Sequence, residues 1–190
     1  MSQENVEVVR RKLTLRERSG RTLEQRIALR FPWFGNLWLR FMARLPPASR
    51  LRQALMVRGA QGMLEALNRE DLDVVLLAYH PDVEFQQAPS PGDQGQLGFQ
   101  PTYRGYEGFQ TFQRDWLSDW AEFRYEPGEL IDLGDRFVVL LEMTARGQAS
   151  GASVTESLAA IATFNEHGKI IREQRFFGHA EALEAVGLRE

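Results

Sequence analysis

The sequence predicts an α+β fold, with helices gathered in the first half of the chain and antiparallel strands in the second. Three observations carry that reading. Apolar residues recur at three- and four-residue spacing through about residue 79. Period-two alternation then begins at "DVEFQQA", residues 82–88. Near the end, "NEHGK" at 165–169 has the form of a hairpin turn between two strands.

The elements follow in order. Residues 2–18 read as a helix, with Ser2 as N-cap and Val6, Val9 and Leu13 on one side. "SGR" at 19–21 interrupts it. Thr22 and Gln25 form a capping box that opens a short helix, which Pro32 stops after Phe31. In "WFGNLWLRFMARLPP", Trp33, Leu37, Phe41 and Leu45 fall on one stripe. Ser49 caps a long helix running to about Asn68, and Asp71 caps a short one over 71–79. The strand from 82 places Val83, Phe85 and Gln87 on one face. Residues 88–102, rich in Pro, Gly and Gln, carry no periodicity. "GYEGFQTFQRDWLSDW" returns to helical spacing, with Phe109, Phe112, Trp116 and Trp120 aligned. Strands are expected over 123–132, 136–146, 153–164 and 169–177, and "HAEALEAVGL" closes the chain as a helix.

Composition bounds the function. The chain has 190 residues, 43% of them hydrophobic and 26% charged, which fits one globular domain plus an appendage. It has no cysteine, which excludes disulfides, thiolate nucleophiles and Cys-ligated metals. The N-terminus is charged from the outset, and no run of about eighteen apolar residues occurs. A cytoplasmic location is expected. The net charge of −3 conceals an asymmetry: residues 1–60 hold 13 basic and 4 acidic residues, and the remainder 10 and 22. Such a division suits either two functional parts or a basic arm packed on its own acidic body.

"ALNREDLD", "HPDVEF", "YRGYEGFQTF", "FNEHGKIIRE" and "AEALEAVGL", in this order and spacing, resemble the SnoaL-like branch of the nuclear-transport-factor-2-like superfamily. The resemblance spans roughly residues 55–188 and leaves residues 1–54 as a basic helical extension. It implies a cone: a strongly curved antiparallel sheet wrapped around three helices, with a pocket at the open end. The superfamily includes ketosteroid isomerases, polyketide cyclases and non-catalytic binders, so the fold alone does not fix the activity. Isomerases use a tyrosine and a protonated aspartic acid as oxyanion donors and an aspartate as base. The resemblance places Met63, Ala160 and Gln87 at those three positions. A thioether and a methyl donate no proton, and a neutral amide is no useful base. Isomerase or cyclase chemistry of the known kind is therefore not expected.

What remains is an aromatic-lined pocket. The resemblance directs Phe85, Gln87, Glu156, Ala160, Glu173, Arg175 and Phe177 inward from the strands, and Met63, Tyr79, Phe109, Phe112, Trp116 and Trp120 from the helices. Such a lining suits a small apolar or aromatic ligand. Glu173 and Arg175, two apart on one strand, share a face. They are the candidates for acid–base work, with Glu173 as general base and Arg175 holding a carboxylate or enolate. The structural alternative is a self-neutralising ion pair. Glu156 belongs nearer the mouth than the depth. His80, His167 and His179 share no ligand spacing with carboxylates, so neither a metal nor another cofactor is expected.

The arm, "RFPWFGNLWLRFMARLPPASRLR", interleaves aromatics with arginine. Nucleic-acid binding is disfavoured by the acidic body. Contact with a membrane surface is disfavoured because Pro32 and Gly35 shorten the apolar face. Packing on the body or on a second copy, giving a homodimer, is the expectation. A non-catalytic dimeric interaction module is the alternative to a ligand-binding protein. Filling of the pocket by Trp33, Trp38 or Phe41 would favour that alternative.

Overall fold

The computed structural model describes residues 8–15, 19–87, 102–118 and 120–188. Their order is β1 (Val9–Lys12), α1 (Leu23–Arg30), α2 (Pro32–Ala43), α3 (Arg50–Leu67), α4 (Leu72–Leu76), β2 (Tyr79–Gln87), β3 (Thr102–Arg104), α5 (Gly105–Ser118), β4 (Trp120–Asp132), β5 (Arg136–Gly147), β6 (Ser153–Phe164), β7 (Ile170–Phe177) and α6 (His179–Ala185). All seven strands form one curved, unclosed sheet in the order β1-β4-β5-β6-β7-β2-β3. The α+β cone expected from the resemblance is present.

The helix starts follow local chemistry. Thr22 Oγ1 accepts from the Gln25 N–H at 3.2 Å, and the Thr22 N–H donates to Gln25 Oε1 at 2.9 Å, completing the capping box of α1. Pro32 stands in the first turn of α2, where its missing N–H costs nothing, so it begins a second helix as well as ending the first. Ser49 accepts from Arg52 N–H to start α3, which runs unbroken across residue 54. Asp71 makes no side-chain cap bond; its carboxylate is instead taken by Arg21, at 2.7 and 2.8 Å.

Four expectations are corrected. Within the described part of 2–18 the chain is a strand, not a helix: Val9–Lys12 pair antiparallel with Glu129–Asp132 at the sheet edge. The short helix ends at Leu76, and Tyr79 opens β2, paired to Ile170. Trp120 belongs to β4, not to the preceding helix. The sheet is not purely antiparallel, because β2 runs parallel to β7. A parallel pair needs a long crossover, which α5 and strands β3 to β6 supply. The loop expected over 88–102 lies outside the described residues except for Thr102.

Curvature has identifiable causes. Register shifts interrupt β4 at Trp120/Glu122 and Pro127/Glu129, β6–β7 at Thr163/Phe164 and β2 at Tyr79/Glu84. At the second of these, a Cβ on Gly128 would lie 2.4 Å from the Leu140 carbonyl oxygen, so only glycine permits that approach. The concave face holds the main core, with Phe109, Phe112 and Trp116 of α5 against Phe85, Tyr103 and Tyr125. The convex face packs Ile131, Val138, Leu140 and Ile161 on Ala182 and Leu183 of α6.

The arm is helical and seated on the body by its inner side only. Met42 is buried, Gln25 donates to the Gly62 carbonyl, and Leu39 lies so close to the β6–β7 turn that a Cβ on Gly168 would meet its carbonyl oxygen at 2.5 Å. Trp33, Phe34, Leu37, Trp38 and Phe41 remain exposed. Burial of these side chains on the chain's own body, the simplest expectation from their size, does not occur.

Candidate functional site

The concave sheet and α3 enclose a cavity of about 170 Å³ with an almost wholly apolar lining. Met56, Met63, Leu64 and Leu67 of α3 form one wall, and Leu141, Leu158, Ala160, Ala162 and Phe164 of β5 and β6 the opposite one. Trp38, Leu39 and Met42 of α2 close one side, with Trp38 half exposed at the rim. The cavity is bordered by the arm, not plugged by it.

The polar groups converge at one place on the wall. Residues of β7 alternate, so Glu173 and Arg175 both face inward. Arg175 Nε donates to Glu173 Oε1 at 2.7 Å, and the Tyr79 hydroxyl donates to Glu173 Oε2. Arg175 Nη1 donates to the Tyr125 hydroxyl oxygen at 3.4 Å, and its guanidinium stacks 4.7 Å from the Phe112 ring centre. Tyr79, Tyr125 and Glu173 are buried.

Burial therefore sets the proton affinities. The Tyr79 phenol is pushed well above the ordinary tyrosine range, first by desolvation and then by the charge of Glu173 and the hydrogen bond it donates there. Tyr125 is raised, again mainly by burial. For Arg175, burial pulls downward, but Tyr125, Glu173 and Tyr79 push harder upward, and its charge is held. The cluster is a phenol, a carboxylate and a cation that satisfy one another.

Register adds a relationship hidden from any single segment. Arg175 pairs with Ala160 on one side and Gln87 on the other, so the three residues form one rung across β6, β7 and β2. Met63 Sδ lies 3.8 Å from the Tyr79 hydroxyl. The positions where isomerases keep their acids thus surround Arg175 and Tyr79, and here all three are non-ionisable. Two polar atoms of the lining have no hydrogen-bond partner among the described residues: Gln87 Oε1 and Trp116 Nε1. One is an acceptor and the other a donor.

Of the residues expected from sequence, Met63, Tyr79, Gln87, Trp116, Ala160, Glu173 and Arg175 line the cavity. Phe85, Phe109 and Phe112 lie off the lining as a buried aromatic layer: Phe85 and Phe109 stack 4.6 Å apart, and Tyr79 rests on both. Trp120 and Phe177 flank Trp116 at 6.4 and 6.1 Å without lining the cavity. Glu156 continues the inward face of β6 but lies past the cavity end and is exposed. Tyr125 was missed; its alternation on β4 with Phe123 was the available signal. Among the described residues, no group of three His, Asp or Glu side chains has metal-ligand geometry, and no helix is long and apolar enough to cross a membrane.

Comparison with known proteins places this geometry. Several solved structures share the fold. TerC, co-crystallised with polyporic acid, is 24% identical, with 67% of this chain and 95% of that one covered and a TM-score of 0.55. A nuclear-transport-factor-2-like protein of unknown function from Burkholderia pseudomallei is 28% identical, with 68% and 95% covered and a TM-score of 0.56. A SnoaL-like protein from Shewanella denitrificans is 14% identical, with 65% and 90% covered and a TM-score of 0.51. No curated protein matches the chain. The family model of the SnoaL-like domain matches residues 60–173, more than half of the sequence and all of the cavity's polar cluster except Arg175. With that match and this fold, the chain belongs to the SnoaL-like family of the nuclear-transport-factor-2-like superfamily.

Proposed function

We propose that the cavity binds a small apolar or aromatic molecule carrying at least one polar substituent. The observation that carries this reading is a pair of atoms with no hydrogen-bond partner among the described residues, Gln87 Oε1 and Trp116 Nε1, in a lining whose Tyr79, Tyr125, Glu173 and Arg175 side chains bond to one another. A buried polar atom left unpaired costs about 1–3 kcal/mol, which a ligand bearing a donor and an acceptor would recover. The size suits one or two small rings, since an apolar protein cavity of about 150 Å³ admits benzene. TerC, which shares the fold, was co-crystallised with a small molecule, polyporic acid.

Binding, not turnover, is the core of the proposal. Glu173 and Arg175 neutralise each other, and Tyr79 occupies the second carboxylate oxygen. Acid–base work on an enolisable ligand would need Glu173 to exchange one of those partners for the ligand. Arg175 would then stabilise the oxyanion, and no cofactor would be required.

Thermal shift of the full chain against a panel of phenols and naphthols tests the reading. A ligand at 100 times its Kd adds about 2.7 kcal/mol of stability. Ala160→Phe fills the cavity from β6 and should abolish the shift. No shift with any probe, or a shift that Ala160→Phe leaves intact, overturns the proposal.

A further inference from the structure

Among the described residues, most of the large apolar side chains left exposed belong to α1 and α2 of the arm or to Phe31 between them. Trp33 is 66% exposed, Leu37 59%, Phe34 and Trp38 48% and Phe41 46%. On α2 these five recur at three- and four-residue spacing, opposite Leu39 and Met42, which face the body. Leu23 and Ile27 of α1 and Phe31 at its C-cap, at four-residue spacing, are also exposed. Pro32, in the first turn of α2, therefore stands between two helices that each carry exposed apolar residues.

The charges around this face have one sign. Between Glu24 and Glu65 the chain contains no acidic residue and seven arginines. Arg52 is bonded to Asp132 and Arg58 to Glu24. Arg26, Arg30, Arg40, Arg44 and Arg50 are exposed and have no acidic partner among the described residues. Arg40 borders the aromatic stripe, and Arg44 follows Phe41 by three positions, on the same side.

We infer that α1 and α2 dock on an anionic lipid surface, with the aromatic face entering the headgroup boundary and the arginines meeting lipid phosphates. Tryptophan, phenylalanine and leucine flanked by arginine is the chemistry of an interfacial helix. A second copy fits the charges less well. A two-fold contact through this face would set the arginines of one copy against those of the other, and a head-to-tail contact with the acidic body would build a ring or an open filament instead of a dimer. Because Trp38 also forms the cavity rim, docking places the mouth of the cavity at the lipid surface, where an apolar ligand concentrates. That consequence rests on the proposed binding function; the docking itself does not.

Co-sedimentation of the full chain with phosphatidylcholine vesicles, with and without phosphatidylglycerol, tests the inference. Binding to the anionic vesicles is expected, with weak binding to the neutral ones and loss as salt rises. Each arginine removed near the surface should weaken partition about fivefold. Arg40→Gln/Arg44→Gln should then lose on the order of 25-fold, and Trp33→Ser/Leu37→Ser should not sediment at all. All four side chains are exposed, so circular dichroism should match wild type. Absence of binding to both vesicles overturns the inference, as does equal, salt-independent binding to both. So does a dimer, seen by light scattering, that Trp33→Ser/Leu37→Ser dissociates, because a second copy would then own the face. Failure here with a positive phenol shift leaves the cavity proposal standing, and the reverse also holds.

Discussion

Arg52 of α3 reaches the carboxylate of Asp132 at the end of β4 and donates to both of its oxygens, at 2.7 and 3.0 Å. The same guanidinium donates to the Leu45 carbonyl at 3.1 Å, and Asp132 Oδ1 also accepts from the Gly134 N–H. Both side chains are buried. One ion pair therefore ties the end of the arm, the long helix and the end of β4 together.

Removing one member leaves the other buried and unpaired. Arg52→Met or Asp132→Asn should destabilise by about 3–5 kcal/mol, read from urea midpoints. The double variant should recover part of the loss. Single variants within 1 kcal/mol of wild type would show that the pair is solvated in solution.

Glu173→Gln and Arg175→Met should behave similarly, with the loss for Glu173→Gln near the top of the same range. Arg175 would then be left without a counter-charge, facing only neutral acceptors and the Phe112 ring. In Arg175→Met, Glu173 keeps the Tyr79 hydroxyl, so the loss should be smaller. Near-wild-type midpoints for both would remove the pair from the site.

Tyr79 predicts an alkaline limb. Its folded pKa is raised above the unfolded value, so the folded state holds the proton more tightly. Its contribution is fully present below about pH 10 and is lost above that, as the unfolded phenol ionises first, at up to about 1.4 kcal/mol per pH unit. Tyr79→Phe should therefore flatten the decline of stability above pH 10, leaving the smaller share from Tyr125. Parallel slopes for the two proteins would contradict the burial of the phenol.

Gly168 has φ +74°, and its missing Cβ makes room for the Leu39 carbonyl. Gly168→Ala should cost about 1–3 kcal/mol from backbone strain alone and lift α2 from the hairpin. Faster limited proteolysis within residues 23–43 and a changed tryptophan emission are the expected signs. Unaltered cleavage would mean that other contacts seat the arm.

Met63, Gln87 and Ala160 predict no turnover of a β,γ-unsaturated ketosteroid. A spectrophotometric enone assay checks this. Activity surviving Gln87→Ala but lost in Glu173→Gln would assign the chemistry to Glu173, and turnover abolished by Gln87→Ala would assign it to the amide.

Much of the fold was legible because its signals are local. The Thr22 capping box, the Ser49 cap, the Phe109–Phe112–Trp116 stripe and the alternation of Val83, Phe85 and Gln87 each depend on residues a few positions apart. That Glu173 and Arg175 share a face follows from strand alternation in the same way, whereas their inward direction and the non-ionisable Met63, Gln87 and Ala160 follow only once the family is recognised. The misread N-terminal segment shows the limit. Val9 and Leu13 are four apart, which suits a helix, yet Val9–Lys12 is a strand because the edge of β4 offers unpaired backbone groups that no local pattern reveals.

The sequence by itself determined the order of helices and strands, the face each presents to the core and the absence of the family's acids. Tertiary structure decided which distant groups meet. Tyr79 and Glu173 are 94 residues apart, and Arg52 and Asp132 are 80 apart; both contacts exist only because β2 pairs with β7 and α3 crosses β4. Tertiary structure also decided that the arm's aromatics face outward, since Leu39 and Met42 take the space on the body and leave the opposite side of the same helix uncovered. Propensity and periodicity act over one or two turns, whereas pairing and burial depend on what the rest of the chain leaves available.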